Sequence, residues 1–249
     1  MEEIIRLHNY FNPNLLYVKD SSIIEYDIQS AGFSVLKHKG FLTEKEISDI
    51  EKLPKLERNI KIGLLQKQNP NFTKEILDTL SDVRSEFCKI NQIEPKNILS
   101  IKKDSMVLVN KPARNLKVFD HFNFINKGSF TSYLRVEKYE FYLNSITKAF
   151  IVKGFGNLEN VPSIIKLIID TMYKIEPLNK AESYKHLQKL QNNYLSYNMD
   201  KEIYREFYSK KFLLKDVDLL LDEIDDVNRL DISYNYMNLL RGAIINMIN

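Results

Sequence analysis

The chain has 249 residues, 44% of them hydrophobic and 28% charged, which is enough for one substantial core, or one domain with a helical appendage, and too apolar for wholesale disorder. Its formal charge of +3, single cysteine and four scattered histidines exclude an internal disulfide and a Cys/His zinc cluster, and give only weak reason to expect nucleic acid. No run reaches the roughly 18–20 apolar residues of a membrane span, and the acidic start MEEIIRLHNY lacks the apolar core of an export signal, so a cytoplasmic protein with no membrane contact is expected.

Residues 14–29 hold two short apolar stretches separated by Ser21-Ser22. They read as two strands, the second being Ile23–Ile28. AGFSVLKHKG follows as a turn and a short helix that Gly40 can stop. Thr43 and Glu46 form a capping box, which starts a helix near Glu44, and Pro54 interrupts or ends it. Residues 55–67 carry apolar and basic positions at helical spacing. Asn69-Pro70-Asn71 reads as a turn, and Thr73 as the cap of a long helix over roughly 74–91.

The pattern then changes. Residues 98–110, ILSIKKDSMVLVN, read as a hairpin with a charged tip, and 117–155 continue in alternating, aromatic, extended style. From Pro162 the pattern is helical: SIIKLIIDTMYKI, NKAESYKHLQKLQNNYLSY, DKEIYREFYSKKFLL, and one or two more helices over 215–247. The expected fold is α+β, an antiparallel sheet with packed helices followed by a C-terminal helical region.

Two acids stand out. Asp27 ends an apolar strand, and Asp104 sits at the tip of the candidate hairpin. Acids on adjacent central strands can converge on one spot and bridge two Mg²⁺ ions about 3.5–4 Å apart for in-line phosphoryl displacement. Spacing alone favours the bland reading of ordinary turn residues over the catalytic one. Charge is unevenly spread: residues 161–249 carry 12 Lys+Arg and 13 Asp+Glu, and the remaining 24 and 20 in residues 1–160 give that part +4. Within 101–120, Lys102, Lys103, Lys111, Arg114 and Lys117 face only Asp104 and Asp120. Such a surface suits a phosphate-rich partner, or is a set of solvated lysines. Heavy use of Ile, Asn, Lys and Tyr resembles coding by an AT-rich genome such as that of a phage or mobile element.

The segment Tyr26-Asp27-Ile28-Gln29-Ser30-Ala31-Gly32-Phe33-Ser34 resembles the first palm motif of family B DNA polymerases. Ile101-Lys102-Lys103-Asp104-Ser105-Met106-Val107 resembles that family's second, hairpin motif. Lys127-Gly128-Ser129-Phe130 stands where the family has an element touching primer–template, and Val152-Lys153-Gly154-Phe155 resembles the Lys-Gly that precedes the thumb. The motifs occur in the family's order. The resemblance implies a palm-like domain over 1–160 with reduced fingers at about 41–91, and a thumb-like helical region over 161–249. It implies metal ligation and catalysis by Asp27 and Asp104 with Mg²⁺ or Mn²⁺. Substrate contacts would come from Ser30, Gly32, Arg58, Lys61 and Ser105. Nucleic acid would be held by Lys102, Lys103, Lys127, Phe130, Tyr133 and Lys153.

Two departures qualify it. Lys102 replaces the first aspartate of the hairpin motif, and Gly32 replaces the tyrosine that rejects a 2′-hydroxyl, leaving room for ribose. Two functions are therefore expected: a compact nucleotidyltransferase using nucleoside triphosphates on a nucleic-acid substrate, in a host cytoplasm if phage-encoded, or a non-catalytic polymerase-derived module that binds nucleic acid or a partner protein. Arg58 and Lys61 read equally well as solvated helix charges, and most of the aromatics at 122–142 as half core, half surface.

Overall fold

A computed structural model describes residues 2–137, 139–154, 163–196, 198–199 and 234–248. Mixed helix and antiparallel sheet make the fold α+β, with a helix at the C-terminus. The chain forms two compact units, one of residues 1–15 and 20–131, the other of residues 16–19 and 132–249.

In the first unit, helix α1 (Glu2–Arg6) leads into strand β1 (Asn9–Phe11). Strand β3 (Ile23–Ile28) lies between β5 (Ser105–Val109) and the first part of β7 (Phe122–Val136), and β4 (Ile98–Lys102) lies between β1 and β5. Short β6 (Lys117–Val118) pairs with β7. All these pairings are antiparallel. Tyr26, Ile28, Ile101, Met106, Phe122 and Phe124 point from the sheet into one apolar cluster. Helices α2 (Ala31–His38), α3 (Glu44–Glu51), α4 (Lys55–Gln68) and α5 (Pro70–Ile90) supply its other side through residues such as Leu36, Ile50, Ile62, Leu80 and Phe87. Since side chains alternate along a strand, this leaves the Glu25 and Asp27 face of β3 turned away from those helices.

The elements start and stop for local reasons. The Thr43–Glu46 capping box opens α3 as expected. Helix α5 differs: Asn69 caps it and Pro70 is its first residue, so the expected turn is a helix start. Proline is preorganised for that position, where its missing N–H costs nothing.

In the second unit, β2 (Tyr17–Val18) pairs with the distal part of β7, and β8 (Tyr139–Asn144) pairs with β9 (Phe150–Lys153). Helices α6 (Ser163–Ile175), α7 (Lys180–Leu195) and α8 (Tyr234–Ile248) pack Ile164, Ile168, Leu187, Leu240 and Ile244 into a second cluster with Leu134, Tyr139 and Phe141. The expected helix DKEIYREFYSKKFLL and the segment 215–233 lie outside the described residues.

Candidate functional site

The site grows from the register of three strands. Asp27 on β3 stands opposite Ser105 on one side and Ile125 on the other, and Ser105 stands opposite Lys102. Directly opposed residues of antiparallel strands share a face. Lys102, Ser105, Asp27 and Ile125 therefore form one row across the sheet, beside the β4–β5 turn where Asp104 sits. Ser105 is buried, Asp27 and Asp104 are half-buried, and Ile125 is exposed.

The β3–β7 register shifts at Glu25 and Tyr26, which pair with Gly128 and Asn126. Lys127 is the extra residue of that bulge, and bulges commonly re-aim a side chain. Here it brings Lys127 Nζ to 3.1 Å from Asp27 Oδ2. The pair is partly open, with side-chain exposures of 54% and 15%. Gly128 is required beside it, because a Cβ there would meet the Phe130 ring at 2.6 Å.

Electrostatics tie the group together. Burial and the charge of Asp27 push the Asp104 carboxyl above the usual carboxylate range, while its own backbone N–H, Lys127 and Lys103 pull it partly back. Partial burial opposes the Lys127 charge, but the hydrogen bond and charge of Asp27, with Glu25 and Asp104, overcome it and raise that ammonium above its ordinary value. Glu25, two residues from Asp27 on the same strand face and itself buried, is thus a third acid of the site. Period-two alternation along β3 is the sequence signal for it.

Arg84 holds the acidic turn from behind. It is fully buried on α5 and donates to the carbonyls of Ile5, Leu7 and Lys103. Lys103 adopts φ of 50°, its N–H donates to the His8 carbonyl, and the Ile28 N–H donates to the Asp104 carbonyl. Burial lowers the Arg84 pKa to about 10, so the group stays charged at neutral pH.

The other expected residues divide. Arg58 donates to Ser30 Oγ at 3.1 Å and to the carbonyls of Glu51 and Leu53, so it joins the start of α2 to the end of α3. Lys61 is half-buried, and its charge acts on Glu46 of α3. Gly32 lies against α4, where an added Cβ would stand 3.1 Å from Ile62. Close helix packing therefore explains that glycine as well as room for a sugar does. The Lys102 ammonium lies over the Phe11 ring of β1 at 5.2 Å. Phe130 and Tyr133 are 3% and 1% exposed, so neither ring offers a face for base stacking. Lys153 belongs to the second unit, where its ammonium lies 4.9 Å from the Tyr142 ring centroid.

Among the described residues, no three His, Cys, Asp or Glu side chains gather to hold a metal. Two carboxylates fit the Mg²⁺ pattern, in which one or two acids suffice and waters and substrate phosphates complete the shell. A separate cleft of about 420 Å³ lies at the end of α5, lined by residues including Asn91, Lys111 and Arg114, away from this row.

The fold and site define an α+β protein with a paired-acid, lysine-flanked sheet face. The chain belongs to the Bacteriophage PBS1 gene 130 protein family, whose sequence model matches residues 1–249. No curated protein matches it. No helix among the described residues is long and apolar enough to cross a membrane.

Proposed function

We propose that this phage-family protein is a compact nucleotidyltransferase with a polymerase-like palm, acting on a nucleic-acid substrate in the host cytoplasm. The observation that carries the reading is the pairing of Asp27 with the Asp104 turn on a partly buried sheet face, with Lys127 delivered to the same spot by a bulge. The order of the sequence motifs around these residues supports it. Asp27 and Asp104 would hold Mg²⁺ or Mn²⁺, which supplies charge neutralisation at the transferring phosphoryl group. Lys127, released from Asp27, and Lys102 would contact phosphate oxygens, and Arg58 with Ser30 or Lys61 would steady the triphosphate. Positioning and fixed charge supply most of the rate in phosphoryl transfer, so a rigid sheet with Arg84 behind it suits the task.

The test is primer extension with Mg²⁺ or Mn²⁺ on primed and unprimed strands, comparing wild type with Asp27→Asn and Asp104→Asn. Incorporation lost in both variants supports the reading, and no incorporation by wild type on any substrate overturns it. If it extends, comparable use of ribo- and deoxyribonucleotides is expected from Gly32.

A second reading has its own observation. The Lys127–Asp27 ion pair satisfies the acid without a metal. A non-catalytic module that binds nucleic acid or a partner protein through this face needs nothing more. Nucleic-acid binding by wild type without metal-dependent incorporation would favour it.

A further inference from the structure

The sequence scatters its histidines, but the fold brings two together. His38 is the last residue of α2, and His121 lies in the turn between β6 and β7. Their ring centroids are 5.6 Å apart with planes at 60°. Both residues are exposed. The His38 ring is held by Phe119, stacked at 5.8 Å, and by the edge of buried Phe122 at 5.4 Å.

This separation is compatible with one shared ion. With a metal–nitrogen bond of about 2.0–2.1 Å, the metal stands about 3.2 Å from each ring centroid. Two such rings at a tetrahedral-to-trigonal angle have centroids about 5–5.5 Å apart, and the observed pair lies within a few tenths of an ångström. Local charge agrees. The C-terminal end of a helix carries partial negative charge, which favours a cation beside His38. The two flanking ammoniums are each drawn to an acid, Lys37 to 2.8 Å from Glu51 and Lys39 to 3.7 Å from Glu75.

We propose that His38 and His121 form a two-imidazole site for a borderline divalent transition ion of the Zn²⁺, Ni²⁺ or Co²⁺ class, with water in the remaining positions. The site is chemically distinct from the Asp27/Asp104 face, whose oxygen donors suit hard cations. It does not depend on the nucleotidyltransferase reading.

The experiment is calorimetric titration of the full chain, without a polyhistidine tag, with NiCl₂, CoCl₂, ZnCl₂ and MgCl₂. One equivalent of Ni²⁺ is expected to bind more tightly than Co²⁺, following the ordinary affinity order. His38→Gln and His121→Gln are each expected to weaken Ni²⁺ binding at least about tenfold, since even indirect support of a ligand is worth about that much. His186→Gln should leave it unchanged. Melting curves without metal check that the variants fold, and Co²⁺-induced broadening of imidazole proton resonances in wild type gives a readout that needs no variant. Wild-type Ni²⁺ binding that survives His38→Gln, or imidazole signals of His38 and His121 unmoved by Co²⁺, overturns the proposal.

Discussion

Lys127 Nζ stands 3.1 Å from Asp27 Oδ2, although the strand register places Ile125 opposite Asp27. The bulge makes the contact, and the contact sets the charge balance around Asp104. Asp27 raises the Asp104 pKa and Lys127 lowers it. Asp27→Asn should therefore lower the Asp104 pKa towards the ordinary range, and Lys127→Met should raise it further. Carboxyl carbon shifts followed by NMR against pH check both. Movement of the two variants in the same direction would show that the three groups are not coupled as described.

Asp104 also links the site to stability. Its folded-state pKa lies above the ordinary carboxylate range, so the folded chain holds that proton more tightly than the unfolded one. Ionisation then works against folding. The cost is absent below the unfolded pKa, grows as pH rises between the two values, and is complete above the folded one. Asp104→Asn is expected to be more stable than wild type at neutral pH, with the difference closing in acid. Urea midpoints at several pH values measure this, and an Asn variant weaker than wild type at neutral pH would refute it.

Arg84 offers a sharper stability test. Its guanidinium serves three backbone carbonyls from a fully buried position. Arg84→Met leaves those carbonyls without their charged donor, at an expected cost of about 3–5 kcal/mol by analogy with broken buried charged pairs. Arg84→Lys should recover only part, because one ammonium lacks the fork that spans several acceptors. Denaturant unfolding of both variants reads the difference; equal stability of Lys and Met variants would mean that the fork geometry is irrelevant.

These residues also show where sequence reading stops. Strand Ile23–Ile28, the capping box at Thr43 and the Ile98–Val109 hairpin were legible, because apolar runs, cap chemistry and a charged tip are local signals. Helix α1 and strand β1 were not, being too short to show a period. Arg84 carries no local signal, since its burial depends on α1 and the β4–β5 turn arriving over it. The Lys127 bulge is a property of two paired strands, so neither strand announces it alone. The burial of Phe130 and Tyr133 was likewise hidden in an alternation that fits either face.

Gly128 tests the bulge directly. A Cβ at this position would lie 2.6 Å from Phe130 Cζ, and Phe130 is itself buried with little room to turn. Gly128→Ala should cost about 1–3 kcal/mol, as overpacking generally does, and should disturb the Lys127–Asp27 pair next to it. Thermal unfolding gives the first effect. The Asp104 titration gives the second, with a shift in the direction of Lys127→Met.

The basic rim of the row makes the final prediction, which rests on the proposed nucleic-acid substrate. Lys102, Lys103 and Lys127 surround the Asp27/Asp104 turn, and Lys103 and Lys127 are exposed. Each lysine that neutralises a phosphate releases counterions, so log K falls with log salt by about 0.7 per contact on a single strand and about 0.9 on a duplex. Lys103→Gln and Lys127→Gln should each weaken binding and reduce that slope by about one contact's worth. Lys102→Gln should do less unless the ammonium leaves the Phe11 ring. Fluorescence anisotropy with labelled oligonucleotides over a range of salt concentrations measures the slopes. Unchanged slopes in the Lys103 and Lys127 variants would remove this face from nucleic-acid binding.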